Sequence, residues 1–184
     1  SIPHEGMISP PREGIMKLAS YIRVAFATTF NIILNALTLG RYVWLEGRVR
    51  NGVFRNWARR FRYTPPNFVQ PTTEAEIIGL VKNSKRLRVF GSAHSFNRGV
   101  VAEDTLISLD RYSGVIWKNP EKKQLAVKAG TRVRDVVAAL LDEGLAFAAQ
   151  PSHDAQSIAG ILSTDVHGTG SNWGFVSESV VKLK

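Results

Sequence analysis

A short apolar strand that runs directly into a turn of very small residues constrains this chain more than any other feature. Leu87 to Phe90 reads as the strand, and the sequence Gly-Ser-Ala-His-Ser-Phe-Asn follows from Gly91 to Asn97. Small residues let the backbone come very close to a ligand. Successive N–H groups in such a turn form a concave nest that suits an anion such as pyrophosphate. His94 adds an imidazole, which is a nucleophile or a hydrogen-bond donor near neutral pH.

A second loop of similar composition lies further along the chain. Residues 157–170 read Ser-Ile-Ala-Gly-Ile-Leu-Ser-Thr-Asp-Val-His-Gly-Thr-Gly, again with a histidine among small and hydroxyl-bearing residues. Each loop is reached from an extended stretch of chain. Two such loops suit a ligand that is gripped along its length.

These motifs resemble a known family of flavoproteins. The segments GSAHSFN and QPSHDAQSIAGILSTDVHGTGSNWG resemble the flavin-binding half of the vanillyl-alcohol-oxidase superfamily, which has a PCMH-type FAD-binding domain. Within the superfamily they are most similar to sugar-lactone (aldonolactone) and alditol oxidases. The upstream segment RNWARRFRYTPPNFVQPTTEAEI resembles the opening sequence of that family. Three motifs thus follow the family order over roughly residues 55–184.

The resemblance implies that both loops hold FAD. The backbone from Gly91 to Ser95 would cradle the pyrophosphate, and His94 matches the histidine to which the family attaches the flavin covalently. Alternatively, His94 only hydrogen-bonds the cofactor or its own loop. The residues that the resemblance assigns to cofactor binding are Gly91, Ser92, Ala93, His94, Ser95, Phe96, Ser157, Ala159, Gly160, Ser163, Thr164, His167 and Gly168.

Two positions depart from the family pattern. Ala93 stands where the family usually has glycine, and Asp165 stands where it commonly has a small residue. A methyl group near the phosphate, or a carboxylate near an anionic cofactor, would weaken FAD binding without excluding it. His153 and Asp154 are predicted to stabilise their turn rather than to catalyse. No metal site is predicted, and the absence of cysteine excludes disulfides and thiolate ligands.

The positive charge is concentrated in the N-terminal third. The formal net charge is +9, and ten Lys/Arg against three Asp/Glu precede Thr64. A basic arm suits anionic lipid, an acidic protein partner or nucleic acid, or is only a solvated face. Nucleic acid is disfavoured because no recognition motif accompanies the charge.

The same arm contains the most apolar stretch of the chain. No residue between Arg23 and Arg41 is charged, and the polar residues of Val24 to Leu39 fall at helical spacing on one stripe. Its sixteen residues would span about 24 Å, slightly less than a hydrocarbon core of about 30 Å. Three interpretations stay open: a transmembrane or in-plane membrane helix, a helix docked in a partner, or an ordinary core helix.

We predict a basic helical arm over residues 1–62 and the N-terminal portion of an α+β FAD-binding domain over residues 63–184, without a substrate cap. Residues 41–62 carry seven arginines and are predicted to be helical, with an apolar stripe at Phe54, Trp57, Ala58 and Phe61. The domain is predicted to follow the order β-α-β-β-β-β-α. The predicted strands are 68–70, 88–90, 105–109, 114–117 and 124–129, the predicted helices are 74–82 and 132–143, and the end, 179–183, is strand-like.

Two functions follow from these predictions. The first is the N-terminal portion of a membrane-associated, FAD-dependent oxidoreductase acting on the CH–OH group of a sugar lactone or polyol. The second is a non-catalytic, flavoprotein-like structural subunit of a membrane complex. Residues 1–62 would contact the membrane or complex subunits, and the mitochondrial inner membrane is a candidate location. A C-terminal remainder or a protein partner would complete the sheet, and we expect the isolated chain to be inactive.

Overall fold

The computed structural model describes residues 47–184 together with Tyr21, Ile22, Ala25, Phe26, Thr29 and Ile33. These six residues are helical and exposed; the rest of the predicted apolar helix lies outside the described residues. In the part of the chain that is described, no helix is long and apolar enough to cross a membrane. The chain divides into two compact units, residues 1–43 and 44–184.

The second unit contains eight short strands, three helices and a 3-10 turn within its described residues, 47–184. The strands are β1 (Arg48–Arg50), β2 (Val53–Arg55), β3 (Arg62–Tyr63), β4 (Asn67–Val69), β5 (Leu87–Phe90), β6 (Thr105–Ser108), β7 (Val115–Asn119) and β8 (Gln124–Val127). The helices are α1 (Glu74–Asn83), α2 (Val133–Leu141) and α3 (Ile158–Ser163), and the 3-10 turn is Val176–Ser179. From β4 to α2 the order is the one predicted.

The predicted basic helix over residues 41–62 is wrong from residue 48 onward. Strands β1, β2 and β3 form an antiparallel sheet there, in that spatial order. Asn51 and Gly52 both have positive φ, 49° and 73°, as a two-residue hairpin turn requires. Val49 lies between two exposed arginines, and Phe54 is followed by another. Side chains alternate between the two faces of a strand, so Val49 and Phe54 turn to the buried face of the sheet while the arginines stay exposed.

The predicted division after residue 62 falls inside β3, whereas the structure divides the chain near residue 43. Residues 47–63, called the N-terminal hairpin below, pack against the segment that follows β5. Tyr63 shows this directly: its hydroxyl donates to the Val100 carbonyl at 2.9 Å and accepts from the Ala102 N–H at 3.1 Å. Burial raises the pKa of that hydroxyl. The hairpin therefore belongs to the folded domain.

A three-stranded parallel sheet supports the loop that carries His94. Its order is β4-β6-β5, and all four residues of β6 are buried. Helix α1 connects β4 to β5, and the Thr73 side chain caps it by accepting from the Glu76 N–H. Glu76 completes a capping box, and hydrogen bonds from the Thr72 and Thr73 N–H groups hold the pKa of its carboxyl below the usual value. Strand β5 therefore ends at a fixed point beside β6.

The second half of the unit positions the loop around residue 157. Strands β7 and β8 pair antiparallel, and α2 follows them. Gly144 has a φ of 68° just after α2, the left-handed conformation in which glycine commonly ends a helix. Val133 of α2, Ile161 of α3 and Val176 form a second buried cluster.

Two predictions for this half are wrong. The stretch predicted as a loop from residue 157 contains helix α3, because the Ser157 side chain caps it by accepting from the Gly160 N–H. The predicted terminal strand over residues 179–183 is absent from the described residues. Instead, the 3-10 turn is closed by a hydrogen bond from the Val180 N–H to the Ser177 carbonyl, and residues 180–184 are irregular.

Phe54 joins the N-terminal hairpin to the parallel sheet. Its side chain is fully buried, and its ring lies 5.1 Å from that of Phe90, 5.5 Å from Tyr63 and 5.9 Å from Phe61, between ring centroids. Aromatic pairs at such distances add about 0.5–1.5 kcal/mol each beyond their burial. The Phe54 ring thus packs the hairpin against Phe90, alongside the hydrogen bonds of the Tyr63 hydroxyl.

We predict that Phe54→Ala lowers the free energy of unfolding by about 3–5 kcal/mol, the range for a fully buried phenylalanine. Urea unfolding of the protein measures this loss. Val53→Ala, one residue away on the opposite face of β2 and only half-buried, is the control and is expected to cost far less. Equal losses for the two variants would show that the Phe54 ring does not hold the hairpin in place.

Candidate functional site

The loop after β5 is held by the N-terminal hairpin through consecutive carbonyl groups. The Ser92 carbonyl accepts from the Gly47 N–H at 2.7 Å, and the Ala93 carbonyl accepts from the Trp57 N–H at 3.2 Å. The His94 carbonyl accepts from the Trp57 indole N–H at 2.8 Å. The Ser95 carbonyl follows, accepting from the Asn56 side chain at 3.5 Å. The hairpin thereby fixes the orientation of every peptide group in this run.

The hairpin holds this loop through its carbonyl groups, and the N–H groups of the loop take no part in those hydrogen bonds. Within residues 47–184, no acceptor is present for the N–H groups of Ser92, Ala93 and Ser95. Ala93 adopts the left-handed conformation with φ of 54°, and such alternation of backbone conformation is what turns successive N–H groups to one side. This loop has the donor arrangement of an anion-binding nest.

Two aromatic rings contact the imidazole of His94. The Trp57 ring stacks on it at 4.8 Å between centroids, with the planes 10° apart. The His153 ring lies 4.2 Å away at 33°. Phe96, predicted in this loop, contacts the edge of Trp57 at 5.7 Å and is exposed. The position of His94 is therefore set by both the hairpin and the turn that contains His153.

The two predicted loops meet at Gly91 and Ser157. Any Cβ placed on Gly91 would overlap the Ser157 hydroxyl, so glycine is required at that position. The same Cβ would lie 3.8 Å from Nη1 of Arg132. Arg132 is buried, pairs with the Asp110 carboxylate at 2.6 Å and forms a β-bridge with Ser157. A guanidinium that is paired with a carboxylate therefore lies at the junction.

The remaining predicted residues of α3 are used partly within the helix itself. The Ala159 N–H donates to the Ala129 carbonyl at 3.1 Å and so attaches α3 to the strand region before α2. The Ser163 hydroxyl donates to the Ala159 carbonyl, and the Thr164 hydroxyl donates to the Gly160 carbonyl, at 2.7 and 2.9 Å. Both hydroxyl groups therefore donate within the helix, and each oxygen can still accept a hydrogen bond from a ligand.

His167 and Gly168 lie in a turn of their own. The His167 ring hydrogen-bonds the Gly168 carbonyl at 2.7 Å and contacts the Phe175 ring edge-on. A Cβ on Gly168 would lie 2.6 Å from the Gln150 carbonyl oxygen, so this glycine permits a close backbone approach. Asp165, one of the two departures, accepts a short hydrogen bond from Ser177 and has a φ of 52°. Its carboxylate is thus engaged by a neighbouring hydroxyl.

Two buried polar atoms near the junction are left for a ligand to satisfy. Nδ1 of His153 and Oε1 of Gln156 are buried and have no hydrogen-bond partner among the described residues. Buried polar atoms without partners are rare in folded proteins, and each one requires an explanation. Together with the nest and Arg132, they match a ligand that carries both anionic groups and hydrogen-bonding groups. A separate groove of about 490 Å³ between α1 and β4 contains none of these residues.

Sequence reasoning missed Trp57, Asn56 and Arg132 as parts of this site. The sequence pattern places Trp57 on the apolar stripe of a helix, where the structure has a sheet and a turn. It gives Arg132 no role beyond being the first residue of the predicted helix 132–143. His153 was assigned to its turn, although its ring contacts His94. One sequence signal indicates the correct structure around Trp57. Asn51-Gly52 stands between two segments in which apolar residues and arginines alternate, and this is a strong signature of a β-hairpin.

Comparison with known families identifies the fold and the cofactor. Residues 65–184 match the family described as the FAD binding domain. The chain belongs to this family, and the resemblance recognised in the sequence is confirmed. FAD is accordingly its cofactor, and the anion-binding nest, the guanidinium and the unsatisfied polar atoms fit that molecule.

The chain is similar to sugar-lactone oxidoreductases. It is 32% identical over 146 residues to D-arabinono-1,4-lactone oxidase of Eremothecium gossypii, covering 75% of this chain and 27% of that protein. It is 33% identical over 133 residues to the mitochondrial L-galactono-1,4-lactone dehydrogenase of Arabidopsis thaliana, covering 70% and 22%. The chain thus spans about a quarter of the length of the curated relatives it matches.

Solved structures share the fold. Cholesterol oxidase from B. sterolicum superposes with a TM-score of 0.52 at 19% identity, over 66% of this chain and 25% of that one. Alkyldihydroxyacetonephosphate synthase gives a TM-score of 0.52 at 20% identity, over 62% and 24%. The predicted fold class, a partial PCMH-type FAD-binding domain, is confirmed.

We predict that Trp57→Leu displaces His94, because it removes both the ring stack and the hydrogen bond to the His94 carbonyl. The expected cost is about 2 kcal/mol of unfolding free energy, combining one hydrogen bond and one aromatic pair. In protein with labelled histidine, NMR should show loss of the upfield ring-current shift of the His94 ring protons. Trp57→Phe keeps a ring and should retain much of that shift, and exposed Trp173→Leu is the control. An unchanged His94 resonance in Trp57→Leu would contradict the stack.

We predict that Ala93→Gly raises the free energy of unfolding by up to about 1 kcal/mol. The left-handed conformation costs an L-residue about 1–2 kcal/mol, and the greater freedom of glycine in the unfolded chain offsets part of the gain. Ala102→Gly, in the buried core without positive φ, should instead destabilise the protein. Destabilisation by Ala93→Gly would show that packing of its methyl group against Gly47 outweighs the backbone strain.

Proposed function

We propose that this chain is the N-terminal portion of an FAD-dependent oxidoreductase that acts on the CH–OH group of a sugar lactone or polyol. The observation that carries the proposal is the meeting of two loops at Gly91 and Ser157, with the carbonyls of one loop turned to the hairpin. The amide donors that follow Gly91 and the Arg132 guanidinium both lie close to this junction. Similarity to lactone oxidases and dehydrogenases supports the substrate class.

In this proposal, the residues of the chain hold and orient the cofactor. The Ser92, Ala93 and Ser95 N–H groups donate to the pyrophosphate, and the charge of Arg132 stabilises it. FAD, when bound, supplies the two-electron oxidation of the substrate. Phe96 and the predicted residues of 157–168 line the cofactor around the junction. Substrate positioning is assigned to parts of the relatives that this chain does not match, because the matched residues cover only 27% of such a relative.

We further propose that His94 is the point of covalent flavin attachment. Trp57 and His153 contact its ring and limit its rotation, which presents one ring nitrogen in a defined direction. The bond would join that nitrogen to the flavin 8α-methyl carbon in place of one N–H and one C–H bond, and the two electrons released would pass to an acceptor such as oxygen.

The location and partners are proposed from the N-terminal arm. Its charge and its apolar stretch support association with a membrane, either directly or through subunits of a membrane complex. The mitochondrial inner membrane is the proposed compartment, since the similar Arabidopsis dehydrogenase is named mitochondrial. A C-terminal remainder or a partner chain would complete the domain. A non-catalytic structural role in a membrane complex is the second candidate.

We predict that protein expressed with its natural continuation purifies yellow, and that acid-precipitated protein keeps its flavin. His94→Ala should release the flavin into the acid supernatant while leaving the native protein yellow, because the nest and Arg132 remain. Flavin absorbance of pellet and supernatant measures both results. His167→Ala, in a turn that does not contact His94, is the matched control. Flavin in the wild-type supernatant would contradict attachment, and a colourless folded protein would contradict FAD binding.

We predict that residues 1–184 alone do not oxidise a sugar lactone. Catalysis needs the reacting carbon held about 3–3.5 Å from the flavin, and the two described loops are occupied with the cofactor. Dye-reduction assays with an aldonolactone should show turnover only after a C-terminal remainder or partner is added. Flavin-dependent turnover by residues 1–184 alone would overturn the proposed division of roles.

A further inference from the structure

Four arginines of the N-terminal hairpin lie on one face of its sheet, called the arginine face here: Arg48, Arg50, Arg55 and Arg62. Arg48 is directly opposite Arg55 across β1 and β2, and Arg55 is directly opposite Arg62 across β2 and β3. Arg50 is two residues from Arg48 and shares its face. All four are exposed. The opposite face carries Phe54 and packs into the core.

This row of like charges has an electrostatic cost that nothing in the described chain offsets. Like charges directly opposite each other destabilise a sheet, and neighbouring strands are only about 4.8 Å apart. Among the residues that the structure describes, the ion pairs of Asp and Glu involve none of the four arginines. Residues 47–73 contain no Asp or Glu, and Glu74 is the next acid. An anion from outside the part of the chain that the structure describes is the natural counterpart of this face.

The chemistry of the face favours phosphate. A guanidinium binds a phosphate group through two parallel N–H donors, and its charge persists at every physiological pH. Three arginines in register on three strands extend over about 10 Å. An exposed sheet face of this kind presents its guanidinium groups side by side, which suits an array of headgroups rather than a single small ion.

The neighbouring sequence favours a lipid surface over other sources of phosphate. No residue between Arg23 and Arg41 is charged, and Tyr42 and Trp44 precede the hairpin, where interfacial aromatic residues are favourable. Phe26 and Ile33, both described, are exposed apolar residues. Stable membrane association generally needs two signals, and an apolar segment followed by a basic patch supplies both.

We propose that the arginine face is a docking surface for the phosphate headgroups of an anionic phospholipid membrane. This inference rests on the membrane association proposed above, and it names the surface of the protein that contacts the membrane. Each basic residue held at such a membrane strengthens binding about fivefold. The same arginines weaken the free protein through repulsion between the strands. Stability without lipid and affinity for lipid therefore respond in opposite directions to a change on this face.

The first test is flotation of the full chain with vesicles of phosphatidylcholine alone or with phosphatidylserine. The ratio of binding to vesicles with phosphatidylserine over binding to vesicles without it measures the electrostatic contribution to membrane binding. Insertion of apolar side chains contributes equally to both and cancels from the ratio. The variant R48Q/R55Q/R62Q should lower that ratio on the order of 100-fold. The control K85Q/R111Q/K122Q removes the same net charge from exposed positions elsewhere and should keep most of the ratio. Equal losses in both variants would overturn the proposal.

The second test uses the single reversal R55E, at the centre of the row. Opposite charges would then face each other on both sides of residue 55, so the melting temperature without lipid should rise. The ratio of binding to anionic over neutral vesicles should nevertheless fall by about 25-fold, since two charge units change. A variant that is more stable and yet binds anionic vesicles as wild type does would overturn the proposal.

Flavin absorbance of the same samples keeps this inference separate from the proposed flavoenzyme function. The arginine variants should keep the wild-type flavin content, because Trp57 and Gly47 hold the His94 loop by other groups. Loss of flavin in wild type would contradict the enzyme proposal and leave the vesicle ratio interpretable. A wild-type protein with no preference for phosphatidylserine would overturn the docking surface and point to an acidic protein partner.

Discussion

The site depends on the hydrogen bonds by which the N-terminal hairpin takes up the carbonyl groups of residues 92–95. A peptide group has one donor and one acceptor, so fixing its carbonyl also fixes the direction of its N–H. The Ala93 and Ser95 amides become available to an anion because the hairpin satisfies the carbonyls of the same peptide groups, those of Ser92 and His94. Phe54, buried beside Phe90, keeps the hairpin in the place where it performs this role.

Several parts of the structure could be predicted from the sequence because the signals are local. Thr73 before Glu76 is a capping box, Gly144 ends α2, and the order from β4 to α2 follows from periodicity. The candidate loops were found because small residues and histidine stand together. The rest depends on contacts between distant segments: the stack of Trp57 on His94 joins residues 37 positions apart, and no local pattern encodes it.

The error over residues 48–62 has a physical explanation. Phe54, Trp57 and Phe61 recur at spacings compatible with a helix, and arginine has a good helix propensity. The competing signal, Asn51-Gly52 between Val49 and Val53, requires positive φ at both turn residues, which a helix cannot provide. Sixteen residues, 47–62, therefore belong to the folded unit rather than to the arm, and they form a sheet with a charged face and a buried face instead of a basic helix.

The hairpin also precedes the loop in the order of synthesis. Its strands pair over a short sequence distance, and hairpins of this kind form within about 1–10 μs, far faster than a ribosome adds residues. The strands that orient residues 92–95 are therefore synthesised, and able to pair, before those residues leave the ribosome. The packing of Phe54 on Phe90 follows once β5 has emerged, immediately before the loop whose carbonyls the hairpin receives.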